Sequence, residues 1–218
     1  MDKVEANIAR VQAQCDAQGL ANRPHIKTHK SPELAKLQVA AGAKGITCQK
    51  LGEAEVMAAA GLDDILISYN LLGEEKMNRL GRLLETVSVT VAADNATVVG
   101  DLPKAAAVAG RPLGVVIECD TGRKRAGVET PGEAIELAKL VAASPGLTFR
   151  GFMMYPTEDG WPEAQKFLDT ALAGIRLEGL DAEIISTGGS PNMKNIGKLK
   201  GATEHRPGTY IYNDRMQV

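Results

Sequence analysis

The sequence predicts an α/β protein in which parallel strands and helices alternate along a single domain. Three observations carry that prediction. Hydrophobic period switches between helix-like and strand-like almost from end to end. Strand-like runs such as Ile65-Leu66-Ile67 and Val115-Val116-Ile117 are apolar throughout rather than alternating, which suits parallel strands covered on both faces. Eight strand-and-helix units can be traced. That number favours a closed (β/α)8 barrel, and pattern alone leaves a doubly wound open sheet as its rival.

The elements follow in order. Val4, Ile8, Val11 and Cys15 are spaced by three and four and predict a first helix, closed by Gly19. Pro24-His25-Ile26-Lys27 reads as a short extended segment, because the residue before a proline avoids the helical region. Ser31, Pro32 and Glu33 supply an N-cap, a first-turn proline and an early acid, and they open a helix to about Ala41. Strands are then expected at Gly45–Cys48, Asp64–Ile67, Val87–Val91, Leu113–Cys119, Leu147–Met153, Glu183–Thr187 and Ala202–Arg206. Helices are expected between them at Leu51–Ala60, Glu74–Glu85, Asn95–Ala109, Pro131–Ala143 and Pro162–Glu178.

Composition narrows the function. A formal net charge of −2 gives no strong field toward nucleic acid or an anionic membrane. Aromatic residues are only 4% of the chain and no basic stretch interleaves with them, so a stacking platform for single strands is not expected. No apolar run approaches the roughly 18 residues of a membrane span, and the N-terminus lacks the apolar core of a signal peptide. Cys15, Cys48 and Cys119 show no metal-ligand or redox spacing, which reads as reduced thiols in a cytoplasmic protein.

Chemistry in a parallel barrel belongs at the C-terminal ends of the strands. Arg23-Pro24-His25-Ile26-Lys27-Thr28-His29-Lys30 gathers two of the three histidines and several cations at one such end. Strand alternation would send His25, Lys27 and His29 to one side. Low-dielectric walls and neighbouring cations would depress the Lys27 pKa and favour attack on a carbonyl; a solvated basic loop is the alternative. Ser186-Thr187-Gly188-Gly189-Ser190-Pro191 closes the seventh strand, where glycines let backbone N–H groups approach an anion and barrel enzymes frequently bind phosphate. A plain glycine turn is its bland counterpart. After the fifth strand, Glu118 to Gly127 carries Arg123 and Arg125, which suit a carboxylate or a ring nitrogen, or merely water. After the sixth, Tyr155 could stack on a ligand or stand idle on the rim.

From Arg23 through Lys30 the sequence resembles the D-threonine aldolase and D-serine dehydratase family of pyridoxal-phosphate enzymes, whose barrel is shared with alanine racemase. The resemblance continues through Asn7–Arg10, Thr47–Glu55 and Ser186–Pro191 to Glu204–Asp214. It implies a (β/α)8 TIM barrel of the alanine racemase N-terminal type and pyridoxal 5'-phosphate as cofactor. Lys27 would be its covalent attachment point, Gln49 and His25 pocket residues, Arg125 the partner of the pyridine nitrogen and Tyr155 an active-site residue. Ser186, Thr187, Gly188 and Gly189 would cradle the phosphate, with Tyr212 near it. Relatives carry a histidine soon after the tyrosine, and here the stretch from Tyr155 to Trp161 has none. They also continue into a C-terminal β domain that holds a divalent metal (Mn or Zn), and they begin with a strand before the first helix. The resemblance therefore implies a barrel lacking the C-terminal domain and truncated at both ends. Its implied activity is a lyase acting on small β-hydroxy D-amino acids, homodimeric in full-length relatives. An amino-acid racemase or a non-catalytic carrier of the cofactor are the alternatives.

Overall fold

The computed structural model describes residues 1–212. In chain order the elements are α1 (Asp2–Asp16), β1 (Ala21–Asn22), a 3-10 turn (Ile26–Thr28), α2 (Pro32–Ala40), β2 (Ile46–Cys48), α3 (Leu51–Ala59) and β3 (Asp64–Ile67). Then come α4 (Glu74–Thr86), β4 (Ser88–Ala93), α5 (Ala96–Asp101), α6 (Pro103–Ala109), β5 (Leu113–Cys119), α7 (Pro131–Ala143) and β6 (Leu147–Met154). The remainder is α8 (Trp161–Leu177), β7 (Ile184–Thr187), a 3-10 turn (Ser190–Asn195), β8 (Glu204–His205) and a last 3-10 turn (Thr209–Ile211).

All strand pairings are parallel, in the order β1-β8-β7-β6-β5-β4-β3-β2. The two ends of that order meet. His25 forms a parallel bridge with Thr47, and the N–H groups of Lys44 and Thr47 donate to the carbonyls of Asn22 and Pro24. This seam closes the sheet into the barrel and excludes the open alternative.

Alternation along the strands builds two apolar layers. Ile65, Ile67, Val89, Val91, Val115, Ile117, Phe152 and Ile185 pack outward into the large core beneath the helices. Leu66, Ala92, Val116, Met153 and Ile184 form a separate inner cluster. Burial on both faces explains why these strands read as unbroken apolar runs. Helix starts follow local chemistry. Ser31 Oγ accepts from Leu34 N at 3.3 Å, Asn95 Oδ1 accepts from Val98 N at 3.0 Å, and Thr130 and Glu133 form a reciprocal capping box. Gly151 sits at φ +134 beside a register shift in the β5–β6 ladder, and a side chain there would strike the Ile184 carbonyl.

Two expectations are corrected. Asn95–Ala109 is not one helix, because Pro103 has no N–H to continue the ladder and instead opens α6 after α5 has ended. The first strand is Ala21–Asn22 rather than Pro24–Lys27. The chain stays extended to His25 but then turns tightly over Ile26–Thr28. Strand alternation therefore does not govern His25, Lys27 and His29.

Candidate active site

At the C-terminal ends of the strands lies a cavity of about 780 Å3. The tight turn after β1 decides which basic side chains enter it. His25 and Lys27 line the cavity, whereas His29 turns to α2, its Nε2 3.2 Å from Gln38 Oε1 and its Nδ1 accepting from Ser31 N at 3.1 Å. Lys30 also points elsewhere, to Glu53 at 3.5 Å. Solvent reaches Lys27 through the mouth, and its Nζ donates to Gln49 Oε1 at 3.3 Å. Partial burial and the Arg125 and Arg206 guanidinium groups lower the Lys27 pKa, against a smaller opposing pull from Glu53 and Glu118. The amine is thereby biased toward its neutral, nucleophilic form.

His25 is neutral. Burial, with Lys27 and Arg206 nearby, brings its pKa down to about 3. Its Nδ1 accepts from Lys27 N at 3.5 Å, so Nε2 carries the proton and faces Ser68 Oγ at 3.3 Å. The Ser68 hydroxyl in turn donates a hydrogen bond to the Cys48 carbonyl at 3.2 Å. This short chain fixes the turn that presents Lys27.

After β7, Gly188 adopts φ +86, and a side chain there would overlap the His205 ring. A Cβ on Gly189 would lie 2.8 Å from the Tyr155 ring. Both positions thus exclude larger residues. The N–H groups of Gly188, Gly189 and Ser190 find no acceptor among the described residues, and all three residues line the cavity. Ser186 and Thr187 do not line it. Ser186 Oγ donates to Glu204 Oε1 at 2.5 Å and accepts from Arg206 at 2.6 Å, so its hydroxyl faces that pair rather than the cavity. Thr187 is buried with its hydroxyl unpartnered among the described residues. Tyr212 is 44% exposed and is not part of the lining. Asn213 and Asp214, which end the last motif, lie outside the described residues.

Tyr155 lines the cavity with the Arg123 guanidinium 3.9 Å from its ring centroid and that of Arg125 at 5.3 Å. Arg123 is anchored by the carbonyls of Tyr155 and Pro156 and by Glu158, so it braces the tyrosine. Arg125 is an exposed loop residue, 4.0 Å from Glu118. The residue that sequence reasoning missed is Arg206. It is buried, lines the cavity, and donates to Ser186 Oγ and to the Met154 carbonyl at 3.0 Å. Burial lowers its pKa to about 10, with Glu204 and Glu118 opposing, so it stays cationic at neutral pH. Its signal was its place directly after β8, followed by Pro207 and Gly208. Glu118, 9% exposed, also lines the cavity; its backbone carbonyl accepts from Val128 N at 2.9 Å and its carboxylate lies 4.0 Å from Arg125. Burial raises its pKa, with Arg206 and Arg125 pulling the other way.

The cysteines take no part, since Cys15, Cys48 and Cys119 are buried and free. Among the described residues no helix is long and apolar enough to cross a membrane.

Comparison with known proteins gives a consistent match. Residues 1–216 fit the family described as alanine racemase, N-terminal domain. A 3-hydroxy-D-aspartate aldolase of Paracoccus denitrificans is 36% identical over 227 residues, covering 98% of this chain and 59% of that protein. A D-threo-3-hydroxyaspartate dehydratase of Delftia sp. is 34% identical over 235 residues, covering 98% of this chain and 60% of that protein. The crystal structure of D-threonine aldolase from Filomicrobium marinum superposes with a TM-score of 0.95 at 30% identity, over 100% of this chain and 62% of that one. The chain thus spans less than two thirds of each of these relatives. With a closed barrel, a lysine at the mouth of its cavity and a glycine loop opposite, the chain belongs to the alanine racemase N-terminal domain family.

Proposed function

We propose that this chain is the pyridoxal 5'-phosphate-binding barrel of a lyase acting on β-hydroxy D-amino acids. One observation carries the reading. The pKa-lowered Lys27 amine, the bare N–H groups of Gly188, Gly189 and Ser190, and the fixed Arg206 cation line one cavity. These donors fit the cofactor's three polar handles, and the fit holds because glycine leaves room where side chains would strike His205 and Tyr155. The names of the relatives, two aldolases and a dehydratase of β-hydroxy amino acids, support the same substrate class.

When bound, the cofactor supplies an electron sink for bonds at the substrate Cα. The chain's own residues do the rest. Lys27 would hold the cofactor through its amine, and the same lowered-pKa group could take up or return a proton at Nζ. Gln49 holds that amine in place through the 3.3 Å bond. The N–H groups of residues 188–190 would hold the phosphate without needing a cation. For the ring nitrogen, geometry favours Arg206 over the Arg125 expected from sequence. Arg206 is buried and held by two partners, and an arginine facing that nitrogen would keep it unprotonated. Arg125, at the open rim, is suited to a substrate carboxylate. Tyr155, braced by Arg123, lines the face beside Gly189.

The test is titration of the protein with the cofactor, followed by incubation with D-threonine and 3-hydroxy-D-aspartate. A visible absorbance band and release of glycine plus an aldehyde are expected from aldolase action, and a keto acid plus ammonia from dehydration. Interconversion of enantiomers without cleavage would make the protein a racemase. A band with no turnover of any D-amino acid would make it a carrier, and absence of a band defeats the reading.

A further inference from the structure

His205 closes β8, in register with Thr187 of β7, and is fully buried. Its neighbours Glu204 and Arg206 face Ser186, whereas its own ring lies under the glycine loop. Nε2 is 3.3 Å from the Gly189 carbonyl, a group that can only accept, so Nε2 carries the proton. Nδ1 is left without a partner among the described residues. Burying an unpaired acceptor is costly, and an apolar ring of similar size would avoid the cost. The imidazole is therefore explained by what Nε2 does.

We propose that His205 is a positioning residue that orients the Gly189–Ser190 peptide so that its N–H faces the phosphate of the cofactor. The inference rests on the cofactor reading above and deepens it. In a trans peptide the carbonyl and the following N–H point in opposite directions. A Gly189 carbonyl drawn down onto His205 turns the Ser190 N–H away from the ring, toward the cavity that residues 188–190 line. The Asn192 N–H donates to the same carbonyl at 2.9 Å and completes the clamp. The imidazole also fills the space that a side chain at position 188 would need, so glycine and histidine fit as a pair. Burial and the adjacent Arg206 hold its pKa at about 4, which keeps the ring neutral and Nδ1 unprotonated at physiological pH.

The experiment compares affinity for pyridoxal 5'-phosphate with affinity for pyridoxal, which has the same ring and aldehyde but no phosphate. His205→Phe keeps a ring against Gly188 and removes the donor. His205→Gln places an amide N–H at a similar reach. The unsubstituted protein should prefer the phosphorylated form. His205→Phe should cut that preference about ten-fold and leave pyridoxal affinity unchanged, and His205→Gln should restore most of it. Equal weakening for both ligands, or an unchanged preference in His205→Phe, overturns the proposal. Should the Phe variant not fold, 15N NMR of the unsubstituted protein reads the His205 tautomer directly. A proton on Nε2 at neutral pH supports the proposal, and a proton on Nδ1 overturns it. No preference for the phosphorylated form in the unsubstituted protein defeats the cofactor reading itself, a separate outcome.

Discussion

The inside of this barrel has two unlike walls. Across the middle of β3 to β6 it is apolar, with Leu66, Ala92, Val116 and Met153 packed on Ile184 at the start of β7. Around β7, β8 and β1 it is ionic. Arg23 donates to Glu204 at 2.8 Å and to Asp64 at 2.7 Å, Ser186 links Glu204 to Arg206, and Arg206 reaches the cavity. Burial works against the Arg23 charge, and Glu204 and Asp64 overcome it and hold the guanidinium protonated. The apolar wall gains from leaving water. The ionic wall gains little net energy from its buried charges, and its return is geometric, since each group has one place to sit. A cation that must face a ligand at a fixed angle is worth that arrangement.

Breaking the ionic wall should cost most. Glu204→Ala takes one of two carboxylates from Arg23 and the acceptor from Ser186, and disrupting a buried charge network in this way costs up to about 3–5 kcal/mol. Urea denaturation measures this, and a loss under about 1 kcal/mol would mean that the network is not desolvated as described. Leu66→Ala on the opposite wall should cost about 3 kcal/mol through lost burial and a residual cavity. It should leave cofactor affinity intact, whereas Glu204→Ala should weaken it. Equal effects on affinity would erase the distinction between the walls.

The same contrast decides what could be read from sequence. The apolar strands announce themselves, because burial on both faces removes every polar residue from Ile65–Ile67 and Val115–Ile117. The glycine pair after β7 stood out because the packing of His205 and Tyr155 leaves no room for a side chain at either position. The ionic wall was not legible. Its strands β1 and β8 are two residues long and carry no apolar run, so Arg206 passed unnoticed inside a motif. Ser186 looked like a phosphate ligand until its pairing with Glu204, 18 residues on, turned its hydroxyl to the network. The turn at Ile26–Thr28 escaped because Pro24 signals extension, and the pairing of β1 with β8 lies almost the whole chain away.

A smaller effect should appear in acid. His25 and His205 are held neutral, at about 3 and about 4 against an ordinary 6.5, chiefly by burial. Below pH 6.5 the unfolded chain takes up protons that the folded one refuses, so stability falls as pH drops from 6.5 toward 4 and is retained in full above that window. Urea midpoints at pH 7.5, 6 and 5 should decline in that order, and His205→Gln should flatten the decline. A profile independent of pH would mean that these rings are not buried neutral.

The central claim is that Lys27 is the amine that holds the cofactor. Borohydride reduction of the protein mixed with pyridoxal 5'-phosphate, followed by proteolysis and mass spectrometry, tests it directly. The account predicts a single phosphopyridoxyl group on Lys27 and none in Lys27→Ala. A modification on Lys30 or elsewhere, or one that persists in Lys27→Ala, would contradict it.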